Sequence, residues 1–400
     1  MTRLKVLHIS TQSATAFRFV LPFARWLRAH EHEVHLASSE LAYPDAESFV
    51  APIRRSGLPF HPIAIPRAIE PLADLKALAH AWTLIRRERF DIVHTHNAKA
   101  GVIGRLAARL AGCPVVIHTN HGLPFFVADR FTLPENIAHL LLEASIARLT
   151  DVIFVVSVAE QEKMARFNIT PARDVVQIGQ GIDLSHFDPQ RVSAERLRHL
   201  RTRWGIPPKA PVVGTIARLV HHKGVDVLLR AVARLSSTHP DLHTLIIGDG
   251  DELTALKRLA RELGVATRVT FTGYLKDPRD TRDAYRLMTL FCLPTCWESF
   301  GVVFAEAMAM QIPIVATDLP PINAVVSAGE TGLLAPRDDA AGFSRAIARL
   351  LDDPDLRAAF GAAGRRRAQR LFSEERLFST MLEHYLRVST RPKLGDPHER

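Results

Sequence analysis

The sequence predicts an α/β protein made of two doubly wound, Rossmann-like domains facing a cleft. Short apolar runs of strand character alternate with helical stretches through both halves of the chain. The length, 400 residues, is more than a single core usually serves and divides into two. The alternation breaks once, at the turn Ile178-Gly179-Gln180-Gly181-Ile182-Asp183 and a charged connection over 184–210 that ends in Pro207-Pro208. The expected domains are therefore 1–182 and 183–372, followed by an amphipathic helix over 373–390.

In the first half, Lys5–Ser10 reads as a buried strand. The segment Thr11 to Phe17 after it reads as a loop without Gly, so its backbone is not expected to grip a phosphate. A helix over Phe19–His30, a strand over Glu33–Ser38 and a helix over Glu70–Arg89 follow. The last carries apolar positions at Leu72, Leu75, Leu78, Ala79, Trp82 and Ile85. From Asp91 a strand runs toward a helix over Gly104–Leu110, with His94 and His96 on one side and Lys99 on the loop. The strand Pro114–Thr119 ends in Asn120-His121-Gly122. Strand ends of a parallel sheet face the ligand crevice, so His96, Lys99 and His121 are expected to converge there. His94 taken alone reads more readily as a hydrogen-bonded core histidine. Leu123-Pro124-Phe125-Phe126 reads as an acceptor lip, a lipid-contacting loop or core packing. Asp151–Ser157 is a further strand, and Ser157 with Glu160 caps the helix that runs to Phe167.

In the second half, the strand Val212–Ile216 leads to Arg218, Lys223-Gly224 and a helix over Val225–Leu235. A forked guanidinium and a point-charge ammonium on one loop suit a diphosphate, although an exposed basic loop is the plain alternative. His243–Ile247 ends in the permissive turn Gly248-Asp249-Gly250, and a helix over Glu252–Leu263 precedes Val269–Thr272 and Gly273-Tyr274-Leu275. Leu290–Leu293 is a buried strand stopped by Pro294, followed by a helix over Phe300–Met310. The N–H groups near Gly301 and Val302 form an anion cradle at its start. Glu298 precedes this helix and Glu306 lies about two turns into it, roughly 10 Å away. That separation excludes a shared proton or metal; it fits two ends of one elongated ligand, or two surface acids. Strands at Ile312–Thr317 and Gly332–Ala335 and helices at Ala340–Leu351 and Leu356–Leu371 complete the pattern.

Glu298-Ser299-Phe300-Gly301 through Glu306-Ala307-Met308 resembles the signature of the retaining family 4 (group 1) glycosyltransferases. Arg218 and Lys223-Gly224 resemble their second signature. The block from Asp91 to Phe126, with His94-Thr95-His96, Lys99-Ala100-Gly101 and Thr119-Asn120-His121-Gly122, is similar to the capsule and lipopolysaccharide (CapM-like) members. The resemblance covers nearly the whole chain and implies the GT-B fold, with the final helix crossing back onto the first domain. It implies that Glu298 meets the donor sugar and Glu306 the ribose. It places Gly301, Val302, Gly248, Tyr274 and Leu275 around the donor, His121 near its anomeric centre, and His96 and Lys99 on the acceptor side. Two departures are the absent Gly in the first loop and Trp297-Glu298-Ser299 where many members carry Ser-Glu-Gly.

The activity so implied is transfer of a sugar from a nucleoside diphosphate sugar, UDP-sugar foremost, to an acceptor hydroxyl with retention of configuration. Arg218, Lys223, Glu298 and His121 would be catalytic, with no metal or other cofactor, since the two cations serve in a metal's place. The implied acceptor is a polyprenyl-diphosphate-linked glycan. A sugar-nucleotide 2-epimerase and a non-catalytic sugar-nucleotide-binding protein are the alternatives. The net charge of +9 rests on Arg, but Arg86-Arg87-Glu88-Arg89 and Arg365-Arg366-Arg367 lack the interleaved aromatics of a single-strand binder, so no nucleic acid is expected. Solvated faces or attraction to a membrane surface account for it. No run reaches ~18 uncharged apolar residues, and the start is too short and polar for a signal peptide. Cys113, Cys292 and Cys296 are few and odd in number and lack partners with metal-ligand spacing, as in a reducing cytoplasm. The expected location is cytoplasmic, peripheral at the inner membrane face.

Overall fold

The computed structural model describes residues 3–40, 46–66, 68–122, 132–171 and 174–390. The chain divides into two compact units, Met1–Gly179 with Leu377–Arg400, and Gln180–Arg376. The first is built on β1 (Lys5–Ser10), β2 (Glu33–Ser38), β3 (Phe60–Pro62), β4 (Ile92–His96), β5 (Val115–Asn120), β6 (Val152–Val155) and β7 (Val175–Gln177). The second is built on β8 (Val212–Ile216), β9 (His243–Ile247), β10 (Val269–Gly273), β11 (Leu290–Leu293), β12 (Ile314–Thr317) and β13 (Gly332–Ala335).

The sheets run β3-β2-β1-β4-β5-β6-β7 and β10-β9-β8-β11-β12-β13. Neighbouring strands are parallel throughout both. Each order reverses beside the first strand of its unit, at β1/β4 and at β8/β11. Open α/β sheets bind ligands outside the carboxyl ends of their strands at such a reversal. The architecture is the expected pair of doubly wound sheets.

Strands covered on both faces read as continuous apolar runs, and Leu290-Phe291-Cys292-Leu293, wholly buried, does. The centre of the first sheet departs from this rule. His8, His94, His96 and His118 are buried on β1, β4 and β5.

Several elements differ from the sequence expectation. Residues 11–17 are not a loop: helical turns at Ser13–Thr15 and Ala16–Val20 run straight into the helix Leu21–Ala29, so only Thr11 and Gln12 connect it to β1. Neither Gly nor Pro interrupts that run, and Ala16 and Val20 are buried. The helix Pro71–Glu88 buries Ala77, Ala81, Leu84 and Ile85, while Leu72 and Leu75 remain 79% and 62% exposed. Small residues decide that face, because Ala77 and Ala81 share a core cluster with Ala100, Ile103, Ala107 and Ala108 of the next helix, Ala98–Leu110.

Within 184–210, the helix Ala194–Arg203 is capped by Ser193 and buries only Leu200, so it carries no apolar stripe to read. The helices Leu133–Ala147 and Pro278–Tyr285 have no counterpart in the sequence expectation either. The first is held by a bidentate pair in which Arg105, fully buried, meets both Glu143 oxygens at 2.9 Å. The closing helix Glu374–Ser389 buries Phe378, Met381, Leu382, Tyr385 and Val388 in a core cluster with Val6, Phe23, Leu27 and Phe154 of the first unit. Among the described residues, no helix is long and apolar enough to cross a membrane.

Candidate functional site

In the second unit, the loops leaving β8 and β11 are strapped together. Gly224 has φ +64°, and a Cβ there would lie 2.0 Å from the Pro294 carbonyl oxygen, so only Gly permits the approach. The Cys296 N–H donates to the His222 carbonyl at 2.8 Å. The buried Thr295 hydroxyl lies 2.9 Å from that same oxygen and 2.8 Å from the Trp297 carbonyl. The straps bring Lys223 Nζ to 2.5 Å from Glu298 Oε1, a pair that bridges the β8/β11 reversal. Arg218 is exposed, and no carboxylate among the described residues pairs with it.

The helix Val302–Ala309 starts at Gly301, whose φ of +87° and contact with the Phe304 ring, 2.5 Å from a would-be Cβ, again require Gly. No side chain caps its first turn, so the N–H groups there and the positive end of the dipole suit an anion. Glu306 accepts a hydrogen bond of 2.7 Å from the Tyr285 hydroxyl. Burial, then the nearby Glu306 charge, pushes the Tyr285 phenol well above its ordinary range, so it remains a donor. Glu298 and Glu306 thus have separate partners.

Gly248, with φ +132°, lets the exits of β8 and β9 touch: a Cβ would meet the Ala217 carbonyl oxygen at 1.9 Å. Its N–H donates to the Gly273 carbonyl at 3.0 Å. Tyr274 is exposed and Leu275 buried. Both line a concavity of about 580 Å³ with Arg203, Trp204 and Phe271, to which Arg218, Lys223, Glu298 and Glu306 do not contribute.

In the first unit, His94 is the core histidine that its sequence allowed. Its Nδ1 lies 2.5 Å from the Tyr385 hydroxyl and its Nε2 2.6 Å from Thr119 Oγ1. His96 does meet His121, Nδ1 to Nε2 at 3.2 Å, but its Nε2 is taken by His8 Nδ1 at 3.0 Å. With both nitrogens engaged and 3% exposure, His96 reaches a ligand only through His121. Lys99 does not converge with them. Asn97 takes φ +69° and lets the helix begin at Ala98, so Lys99 sits in its first turn, 2.7 Å from Asp74 Oδ1 and donating to the Ala68 carbonyl. Leu123-Pro124-Phe125-Phe126 lies outside the described residues.

Burial keeps these imidazoles neutral: His8 is pushed down to about 3 and His121 to about 4. His94, His96 and His118 fall well below the ordinary value for the same first reason. Ring nitrogens of His8, His94 and His96 lie within 4.8 Å of one another, a grouping that the sequence hid because His8 is 88 residues from His96. Both His94 nitrogens already make short hydrogen bonds, so the trio fits a hydrogen-bonded core better than an ion site.

Two doubly wound parallel sheets, with a Lys–Glu pair bridging a strand-order reversal and a Gly-started helix beside it, give the two-domain arrangement expected of a GT-B protein. Residues 198–367 match the family described as "Glycosyl transferases group 1", and residues 16–181 match "Glycosyl transferase 4-like domain". The chain is 28% identical over 388 residues to the putative glycosyltransferase EpsD of Bacillus subtilis, covering 95% of this chain and 96% of that one. It is 32% identical over 317 residues to a D-inositol 3-phosphate glycosyltransferase of Rhodococcus jostii, covering 76% and 68%. It is 27% identical over 293 residues to the UDP-Gal:alpha-D-GlcNAc-diphosphoundecaprenol alpha-1,3-galactosyltransferase of Escherichia coli, covering 72% and 74%. The crystal structure of Anabaena Alr3699/HepE in complex with UDP-glucose superposes with a TM-score of 0.82 at 19% identity, covering 96% and 100%. The protein belongs to the group 1 glycosyltransferases.

Proposed function

We propose that the protein is a retaining glycosyltransferase that moves a sugar from a UDP-sugar to a hydroxyl of a polyprenyl-diphosphate-linked glycan. The observation that carries the donor half is the cradle of the second unit: exposed Arg218, Lys223 held by Glu298, and the uncapped start of the helix Val302–Ala309. Cations and oriented N–H groups of this kind stabilise charge that develops on a leaving diphosphate. The acceptor oxygen forms its bond to the anomeric carbon as the bond from that carbon to the phosphate oxygen breaks on the same face. The acceptor proton passes to the departing diphosphate. Arg218 and Lys223 take the place of a divalent metal. Glu298 and Glu306 serve the sugar and the ribose, and acceptor recognition is assigned to the first unit.

The UDP preference is supported by the names of the Escherichia coli relative and the Anabaena complex. The lipid-linked acceptor is supported by that same relative, and by a net charge of +9 that suits an anionic acceptor at the inner membrane face. A panel of UDP-, GDP-, ADP- and dTDP-sugars tests the reading by thermal stabilisation and slow hydrolysis without acceptor. One donor should raise the melting temperature and release its nucleoside diphosphate with the anomeric configuration kept, in the presence of a chelator. Conversion of a UDP-sugar to its epimer, or binding without turnover to any acceptor, would overturn it.

A further inference from the structure

Three imidazoles, from β1, from β4 and from the residue just beyond β5, form one hydrogen-bonded string in the first unit. His8 Nδ1 lies 3.0 Å from His96 Nε2, and His96 Nδ1 lies 3.2 Å from His121 Nε2. The two terminal nitrogens, His8 Nε2 and His121 Nδ1, are enclosed and have no partner among the described residues. Burial holds all three rings neutral, so each carries one N–H and one bare nitrogen. Two hydrogen bonds between three such rings leave a single terminal N–H, and the whole string must point one way or the other.

The two ends differ. The His8 ring, 1% exposed, lies against Phe23 and against His94, whose own nitrogens are taken by Tyr385 and Thr119. An N–H at His8 Nε2 would have no oxygen among the described residues to receive it, and buried N–H groups without an acceptor are rarer than acceptors without a donor. His121 lies just beyond the carboxyl end of β5, is partly exposed as a residue and lies against the exposed Phe19, the two rings tilted by 32° at 5.2 Å. The Nδ2 of neighbouring Asn120, whose Oδ1 is 3.1 Å from His118 Nε2, is a second buried polar atom at that strand end with no partner among the described residues.

We infer that His8 and His96 are positioning residues that fix the tautomer of His121, so that its enclosed Nδ1–H is the string's one uncommitted donor, left for a substrate oxygen. His121 then steadies a sugar hydroxyl or phosphate oxygen and does not serve as a base. This role rests on the transferase reading for the identity of the oxygen, not for the tautomer.

The tautomers are read directly by long-range 1H–15N correlation on the full chain labelled at histidine. The expected result is an Nδ1–H with a bare Nε2 at His8, His96 and His121. His8→Asn keeps a donor near the Nδ1 position and should preserve the His121 pattern, whereas His8→Leu should mix it and lower kcat about tenfold, the equivalent of one hydrogen bond, with donor KM unchanged. His121→Asn should retain more activity than His121→Gln, which places its amide at the other nitrogen. An Nε2–H on His121, or a His121 pattern unmoved by His8→Leu in a folded variant, would overturn the inference. Fixed tautomers in a protein that transfers no sugar would instead sink the transferase reading and leave the string standing.

Discussion

Lys223 Nζ lies 2.5 Å from Glu298 Oε1, and the two residues leave adjacent strands on either side of the strand-order reversal of the second sheet. The Glu298 side chain is only 9% exposed, so the pair is structural as well as chemical. Arg218, one loop position away from β8 and exposed, is free of that second duty.

The two cations should therefore separate in mutagenesis. Arg218→Ala is expected to lower kcat/KM by a hundredfold or more, about 3–4 kcal/mol, with an unchanged melting temperature. Lys223→Ala is expected to lose comparable activity and also about 3 kcal/mol of stability, because it strands a buried carboxylate. Adding Glu298→Gln to Lys223→Ala should recover stability without activity. Calorimetry beside steady-state kinetics decides, and near-normal turnover in Arg218→Ala would end the diphosphate assignment.

Gly224 and Gly205 share φ +64°, but only at Gly224 would a Cβ strike backbone, 2.0 Å from the Pro294 oxygen; at Gly205 nothing lies within 4 Å. Gly205→Ala should cost about 1 kcal/mol, the strain of the left-handed conformation alone. Gly224→Ala should cost more than about 2 kcal/mol and weaken donor affinity, because the strapped loops must part. Equal losses in urea denaturation would show that the contact does not matter.

Tyr285→Phe removes the donor that holds Glu306 at 2.7 Å and that also reaches the Val303 carbonyl at 3.2 Å. A loss of roughly 1–2 kcal/mol in stability is expected, together with a raised KM for the donor and a nearly unchanged kcat. A change confined to kcat would show that Glu306 acts on the reaction and not on binding.

Acid should weaken the protein before most of its carboxylates titrate; Glu374, which burial pushes up to about 7, is the exception and opposes the trend by one group against five. His8, His94, His96, His118 and His121 have depressed values in the folded state, so the unfolded chain binds more protons as pH falls below about 6.5. Their neutral burial therefore stabilises fully above that pH and progressively less as pH drops toward about 4 and about 3, the folded values of His121 and His8. Each contributes a slope of up to ~1.4 kcal/mol per pH unit. Denaturant midpoints at pH 7.5, 6.5 and 5.5 should fall steadily; a flat profile would mean that these rings accept protons in the native state.

The sequence by itself determined the two parallel sheets, because strands buried on both faces and helices with one apolar stripe leave periodic marks. It also marked Arg218, Lys223, Glu298 and Glu306 as candidates, because their spacing is local to single strand-to-helix connections. Where the marks were faint it failed. The helix Ala194–Arg203 buries only Leu200, and the packed face of Pro71–Glu88 is drawn by Ala77 and Ala81 beneath more conspicuous leucines. Only the tertiary structure decided partners. Lys99 turns to Asp74, Lys223 meets Glu298, and His8, His96 and His121 join into one string. Such pairings depend on which strands lie side by side, and strand order follows from packing the whole sheet; no local pattern of residues encodes it.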